Sequence, residues 1–229
     1  MATVNDIITA AYRESNLTGV GRSLTSAQSD EGLTLLDSLL PATMGQEVGQ
    51  ELTDLNIGGQ HDNAVHDYVP ENVRLILNGG AQSLALDPRP YDGQRLAVVD
   101  VAGNLSANPL TLTGNGRLVE GAASLVLNTN SLRREWFYRA DRGSWTRIDA
   151  LALSDEFPFP REFDDYFSIL LAMRLNPRHG RDLAQSSASW LESQASRLAA
   201  RYRRPRPVQD WGSRGLLGQC GANIGGELL

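Results

Sequence analysis

The sequence has no lysine; all 21 of its basic side chains are arginine. A GC-rich genome would account for part of that bias. The physical consequence stands regardless, because the planar arginine fork suits interfaces better than the point charge of lysine. Cysteine is almost missing too. Cys220 is alone, which excludes an internal disulfide and a thiolate zinc site. No apolar run reaches the ~18–20 residues that a membrane span requires. The opening MATVNDIITAAYRESN lacks a basic stretch followed by an apolar block, so no secretory signal is expected. A protein made and used, or assembled, in the cytosol is the expectation.

Histidine is scarce, with His61, His66 and His179 only. His61-Asp62 and His66-Asp67 place imidazole beside carboxylate, but the segment is loop-like and no third ligand accompanies it. Solvated loop histidines are the expected reading, with no metal and no cofactor. A G-x-S-x-G nucleophile elbow and a Walker phosphate loop are also missing. The acidic stretch Asp155, Glu156, Glu162, Asp164 and Asp165 has the residue types for acid–base hydrolysis. It also stands where a helix begins, and negative charge is favoured there by the helix dipole. No enzyme is expected.

The 229 residues can hold one large domain or two small ones. Hydrophobic residues make up 41% and charged residues 21%, as in ordinary globular proteins. The net charge of −6 is unevenly spread. Residues 1–100 carry five arginines against fourteen acids, a net of −9. Residues 174–214 carry nine arginines against three acids, a net of +6. This polarity points to interaction through the C-terminal end.

Val4, Ile7, Ile8 and Ala11 recur at helical spacing, and Gly19 and Gly21 end that segment. Thr25-Ser-Ala-Gln28 fits a capping box, and Leu33, Leu36, Leu39 or Leu40, and Met44 follow on one helix face. Helices are therefore expected over 3–17 and 26–46. From about residue 55 the pattern changes to short apolar or alternating runs: 73–78, 83–87, 94–100, 110–113, 124–128, 135–139 and 144–148. Turn residues separate them, which predicts a small antiparallel sandwich or barrel. After Phe157-Pro-Phe-Pro160 the helical period returns. Phe163, Tyr166, Phe167, Leu170 and Leu171 line one helix, which Pro177 and Gly180 close. Leu183, Trp190, Leu191, Ala195, Leu198 and Tyr202 line another over about 182–203.

The expected fold class is α+β. Four helices form an adaptor-type bundle (1–54 and 154–203), with the β domain (55–153) inserted between the second and third. Residues 204–229 form an extended C-terminal arm. Its root is dense in cations: Arg201, Arg203, Arg204 and Arg206, with Tyr202, Trp211 and Arg214 nearby. Pro205 and Pro207 favour an extended, polyproline-like path. Trp211, Leu216, Leu217, Ile224, Leu228 and Leu229 are anchors spaced among glycines. These residues admit three readings: a docking arm, a disordered tail, or a nucleic-acid arm. Composition favours the first.

The run Leu17-Thr-Gly-Val-Gly-Arg-Ser-Leu-Thr-Ser-Ala-Gln28, followed by Leu33-Thr-Leu-Leu-Asp-Ser-Leu-Leu40, resembles the first two helices of head-to-tail connector proteins of tailed bacteriophages. These are also called adaptors, head-completion proteins or tail accessory factors. The segment Phe157-Pro-Phe-Pro-Arg-Glu-Phe through Leu175-Asn-Pro-Arg-His-Gly180 is similar to their third helix, and the helix ending at Arg203-Arg204 to their fourth. The resemblance covers about 100 residues. It implies a structural virion protein of the neck, at the head–tail interface, assembled in the bacterial host's cytoplasm.

The resemblance also implies a homo-oligomeric ring of twelve subunits under the portal protein. The C-terminal arm, through Arg201, Arg203, Arg204, Arg206, Trp211, Arg214, Leu216 and Leu217, would insert into portal subunits. Genomic DNA would pass through the channel without specific binding, and no membrane would be involved. The inserted β domain resembles modules of phage structural proteins, which implies contacts with tail, nozzle or fibre proteins through Trp136, Tyr138 and Trp145. The competing functions are a tail-associated cell-wall hydrolase using the 155–165 acids, and a nucleic-acid-binding module using the basic arm.

Overall fold

A computed structural model describes residues 2–19, 21–58, 68–180 and 185–203. Helix α1 (Val4–Glu14) starts at Thr3, whose hydroxyl accepts from Asp6 N while the Asp6 carboxylate accepts from Thr3 N. Helix α2 (Ser26–Gln46) starts with the expected box between Thr25 and Gln28. Each box satisfies backbone donors that a helix start leaves free. Gly32 lets the two helices meet closely, since a Cβ there would lie 2.4 Å from Ile8 Cγ2. A 3-10 turn over Arg161–Phe163 leads into α3 (Asp164–Leu175), and a second over Asn176–His179 ends at Gly180 in the left-handed region. Helix α4 spans Gln185–Tyr202.

Among the described residues, nine strands lie between the helical segments: β1 (Thr53–Ile57), β2 (Val73–Leu77), β3 (Gln82–Ala85), β4 (Arg95–Asp100), β5 (Leu110–Thr113), β6 (Leu118–Val119), β7 (Ser124–Leu127), β8 (Arg133–Arg139) and β9 (Ser144–Arg147). They make a six-stranded sheet ordered β1-β2-β4-β8-β9-β6 and a three-stranded sheet ordered β3-β5-β7. From β2 to β8 the chain alternates between the two. From β2 it crosses to β3, returns to β4 parallel to β2, then crosses to β5 parallel to β3. The result is a β-solenoid of about four turns, closed by the antiparallel β8 and β9.

The fold class expected from sequence is thereby corrected. The β region is not a small antiparallel sandwich or barrel. The turns after β2, β3 and β4 do not return the strand beside its predecessor; they carry it to the opposite sheet, so β2 and β4, and likewise β3 and β5, stack in parallel, while β7 joins β5, and β8 joins β4 and β9, antiparallel. Nor do the helices form a four-helix bundle with that region as an insert. They form a layer whose core is completed by the sheet and its neighbouring loops. Phe137 of β8, Ile148 and Leu151 share one buried cluster with Ile8, Leu40, Phe167, Leu171 and Leu198. The helices do not bury their apolar faces against each other alone, because Phe157, Phe159 and Phe163 fill the space between helix and sheet in ring-to-ring contact. A second core, with Leu75, Val98, Leu112 and Trp136, fills the solenoid between its two sheets.

Candidate interaction sites at the helix–sheet junction

The basic arm has a fixed root. Tyr202, at the last turn of α4, is completely buried. Its ring packs against Phe137 and Phe163, with centroids 5.9 and 5.0 Å away. Its hydroxyl donates to Glu162, to which Arg201 also donates at 2.7 Å. Burial and that bond hold the Tyr202 phenol above its ordinary pKa. The Arg201 guanidinium also lies 5.4 Å over the Tyr202 ring. The end of α4 is thus fixed in place, with Arg203 exposed just beyond it. Arg204, Arg206, Trp211, Arg214, Leu216 and Leu217 lie outside the described residues, as do His61 and His66.

The three aromatics expected to dock a tail or fibre protein are placed elsewhere. Trp136, Tyr138 and Trp145 are no more than 2% exposed. Tyr138 and Trp145 meet edge to face at 5.4 Å, and Trp136 Nε1 donates to Glu120 at 2.8 Å. These side chains are committed to the solenoid core. Among the described residues, the large hydrophobic side chains that the β region exposes are Tyr68, Val101, Leu118 and Val126.

The acids of 155–165 are dispersed. Asp155 accepts from Ala152 N at 2.8 Å, Glu156 pairs with Arg142, and Glu162 holds Arg201 and Tyr202. Asp164 is pushed up to about 6 by burial and by the adjacent Asp165, while Arg161 and Arg139 pull it partly back. Among the described residues, no three His, Cys, Asp or Glu side chains are grouped to hold a metal ion.

Sequence reasoning missed a charged cleft of about 610 Å³ between α2 and the six-stranded sheet. At its floor Arg95 is 3% exposed. Its Nε donates to Glu135 at 2.9 Å, and its Nη1 donates to the carbonyls of Met44 and Gln50 at 2.9 and 2.7 Å. Nη2 also reaches Glu135. Strand β4 therefore caps the carbonyls at the end of α2, where a cation is favoured. Burial pushes the Glu135 carboxyl up, and Arg95 pulls it back part of the way. Around this pair stand Asp37 and Asp149, both raised by burial. The only signal in the sequence was polar: Arg95 and Glu135 sit inside runs otherwise read as strands. The pairing of β4 with β8 that joins them is not local.

A second polar cluster ties the helices together. Glu31 of α2 accepts from Tyr12 of α1 at 2.9 Å and from Arg178 at 3.4 Å, and His179 Nε2 lies 3.3 Å away. Burial pushes Glu31 up, but these bonds outweigh it and hold the carboxyl below its ordinary value.

No protein-family model matches this chain, and no curated protein matches it.

Proposed function

We propose that this chain is a structural protein of the neck of a tailed bacteriophage. It forms a ring of twelve copies under the portal, completes the DNA-filled head and docks the tail, without chemistry of its own. The observation that supports this most is the arm and its root. In sequence, a run of arginine and proline begins immediately after a buried tyrosine that fixes the end of α4. An extended segment tethered at a rigid point loses less freedom on docking than one tethered loosely. Twelve such arms engaging together would turn weak contacts into firm attachment. Arginines 203, 204, 206 and 214 would pair with portal carboxylates, bidentately where geometry allows. Trp211, Leu216 and Leu217 would supply the apolar anchors.

The resemblance of residues 17–40 and 157–203 to connector helices supports the same reading, as does the acidic majority of the chain. A channel that gripped phosphate would slow DNA transit. In this reading the solenoid faces tail, nozzle or fibre proteins through its exposed apolar residues, since Trp136, Tyr138 and Trp145 are spent on packing.

The test is direct. The full-length chain and a chain ending at Arg203 are mixed separately with the matching portal ring and imaged by electron microscopy. The full-length chain adds a ring beneath the portal and the shortened one does not. A shortened chain that docks normally removes the arm from the reading, and failure of both removes the neck assignment.

A further inference from the structure

The three-stranded sheet ends at β7 on an open edge. Gly114 N donates to the Ala123 carbonyl at 2.9 Å, so these two residues face each other as a hydrogen-bonded pair. The antiparallel alternation then makes Leu112–Leu125 and Leu110–Leu127 the next such pairs between β5 and β7. The N–H and C=O groups of Ser124 and Val126 therefore point away from β5. Thr113 agrees, since its carbonyl turns to the β3 side and accepts from Leu86 N at 2.8 Å. Among the described residues, nothing bonds the outward groups of Ser124 and Val126. Two other edges are occupied. Beside β3, Val69 N donates to the Ala85 carbonyl at 2.8 Å. At β6 the following turn folds back, and Val119 N donates to Ala122 O at 2.7 Å.

Open N–H and C=O groups recruit another strand, and natural edges are guarded against this by charge, proline, bulges or shortness. β7 is short, with four residues. Its side chains add no further guard, because residues 121–132 contain no charge and no proline. Val126, apolar and β-branched, is 54% exposed. It stands on the outer face of the sheet in one row with Ser83 and Thr111, beside a second row of Ala85, Thr113 and Ser124. That face carries no charge. An identical strand suits such an edge. Laid antiparallel about a two-fold axis, a strand meets its own residues, and like charges so placed would repel. Here there are none, and valine meets valine.

We propose that β7 pairs antiparallel with β7 of a second copy of this chain, with Val126 opposite the partner's Val126 across a two-fold axis. The outward N–H and C=O groups of the two valines bond each other, and the two three-stranded sheets join into one of six strands. The contact is isologous, so it pairs copies and is not the contact that closes a ring. It goes beyond the neck reading and needs neither the basic arm nor the portal. It also leaves Val101 and Leu118 exposed for a tail protein.

Sedimentation velocity over a concentration series, with backbone hydrogen exchange, tests it on the full-length chain. The edge is short, so association depends on concentration. Raising the parent's concentration forms a dimer and slows exchange over 124–128. Val126→Arg sets two guanidinium groups against each other at the axis and weakens association at least about tenfold. Ser83→Arg adds the same charge to the same face two strands away and associates as the parent does. Circular-dichroism melts check that both variants fold. If Val126→Arg does not, the parent's exchange decides alone. A parent that stays monomeric, or one that associates without slowed exchange over 124–128, overturns the proposal. So does a folded Val126→Arg that associates as tightly as the parent, or a Ser83→Arg that loses as much as Val126→Arg. Slowed exchange over 124–128 that comes only with the matching portal ring also overturns it and gives the edge to another protein. The two readings fail separately. A parent that dimerises through β7 but adds nothing to the portal loses the neck assignment and keeps this contact.

Discussion

Tyr202 lies so close over Gly93 that a Cβ at Gly93 would stand 2.7 Å from the tyrosine ring. Gly93 also has φ +93, which side-chain-bearing residues rarely adopt. The loop before β4 and the last turn of α4 therefore depend on each other. Gly93→Ala should cost about 2–4 kcal/mol, from overpacking and backbone strain together. Tyr202→Phe, which keeps the ring and loses the bond to Glu162, should cost about 1 kcal/mol. Urea denaturation measures both. Equal losses would mean that the ring's fit against the glycine is not what matters.

The Arg95–Glu135 pair joins α2 to the sheet. Removing one partner leaves a buried charge or bare carbonyls, so Arg95→Met should cost about 3–5 kcal/mol. Glu135→Met alone should also be severe. The double variant Arg95→Met/Glu135→Met should lose much less than the two single losses added together, because neither orphan charge remains. Additive losses in a double-mutant cycle would contradict that coupling.

Glu31 should make stability sensitive to acid. Its folded-state carboxyl is held below the ordinary 4.5, so the unfolded chain binds its proton first as pH falls. Its contribution is fully present above pH 4.5 and fades as pH drops through the lowered value. Glu31→Gln should therefore lower Tm at pH 7 and lower it progressively less below pH 4.5. Thermal melts across that range read the difference, and a Tm gap independent of pH would speak against the Glu31 cluster.

Asp164 has the opposite sign. Its carboxyl is raised from 3.8 to about 6, so the folded state holds the proton more tightly. Stability attributable to it falls as pH rises from 3.8 to about 6 and stays reduced above. Asp164→Asn should raise stability at pH 7 by about 1 kcal/mol once solvent screening is allowed for. At about pH 3.5, where the acid is already largely protonated in both states, the gain should disappear. A gain of the same size at both pH values would show that charge is not its cause.

Much of the secondary structure is legible in local chemistry. Thr25 and Gln28 announce the start of α2 by the bonds they make within one turn. Pro160 precedes the turn into α3, and Gly180 with φ +61 ends the segment after it. Strands β2, β4, β5, β8 and β9 match apolar or alternating runs. β6 has only two residues, too few to show a period, and β1 carries one clear apolar alternation. The site is less legible. The basic run could be seen and its root on Tyr202 placed on a helix. That Glu162 and Gly93 would hold that root could not.

What the sequence determined alone is what depends on neighbours within a few residues: helix starts and stops, strand positions, the separation of acidic and basic halves, and the arginine-proline run. Only the tertiary structure decided how the strands are stacked. A glycine turn looks the same whether it returns a strand beside its predecessor or sends it to the facing sheet. That choice rests on which apolar faces are buried together, such as Leu84 and Leu112 against Leu75 and Trp136. The same holds for the aromatics. Trp136, Tyr138 and Trp145 read as contact residues in a strand, because a strand pattern does not say which of its faces is covered. Here the facing sheet of the same chain covers them. For Asp37 and Asp149, 112 positions apart in sequence, no local pattern signals a shared cleft. Packing α2 onto the sheet brought them to it.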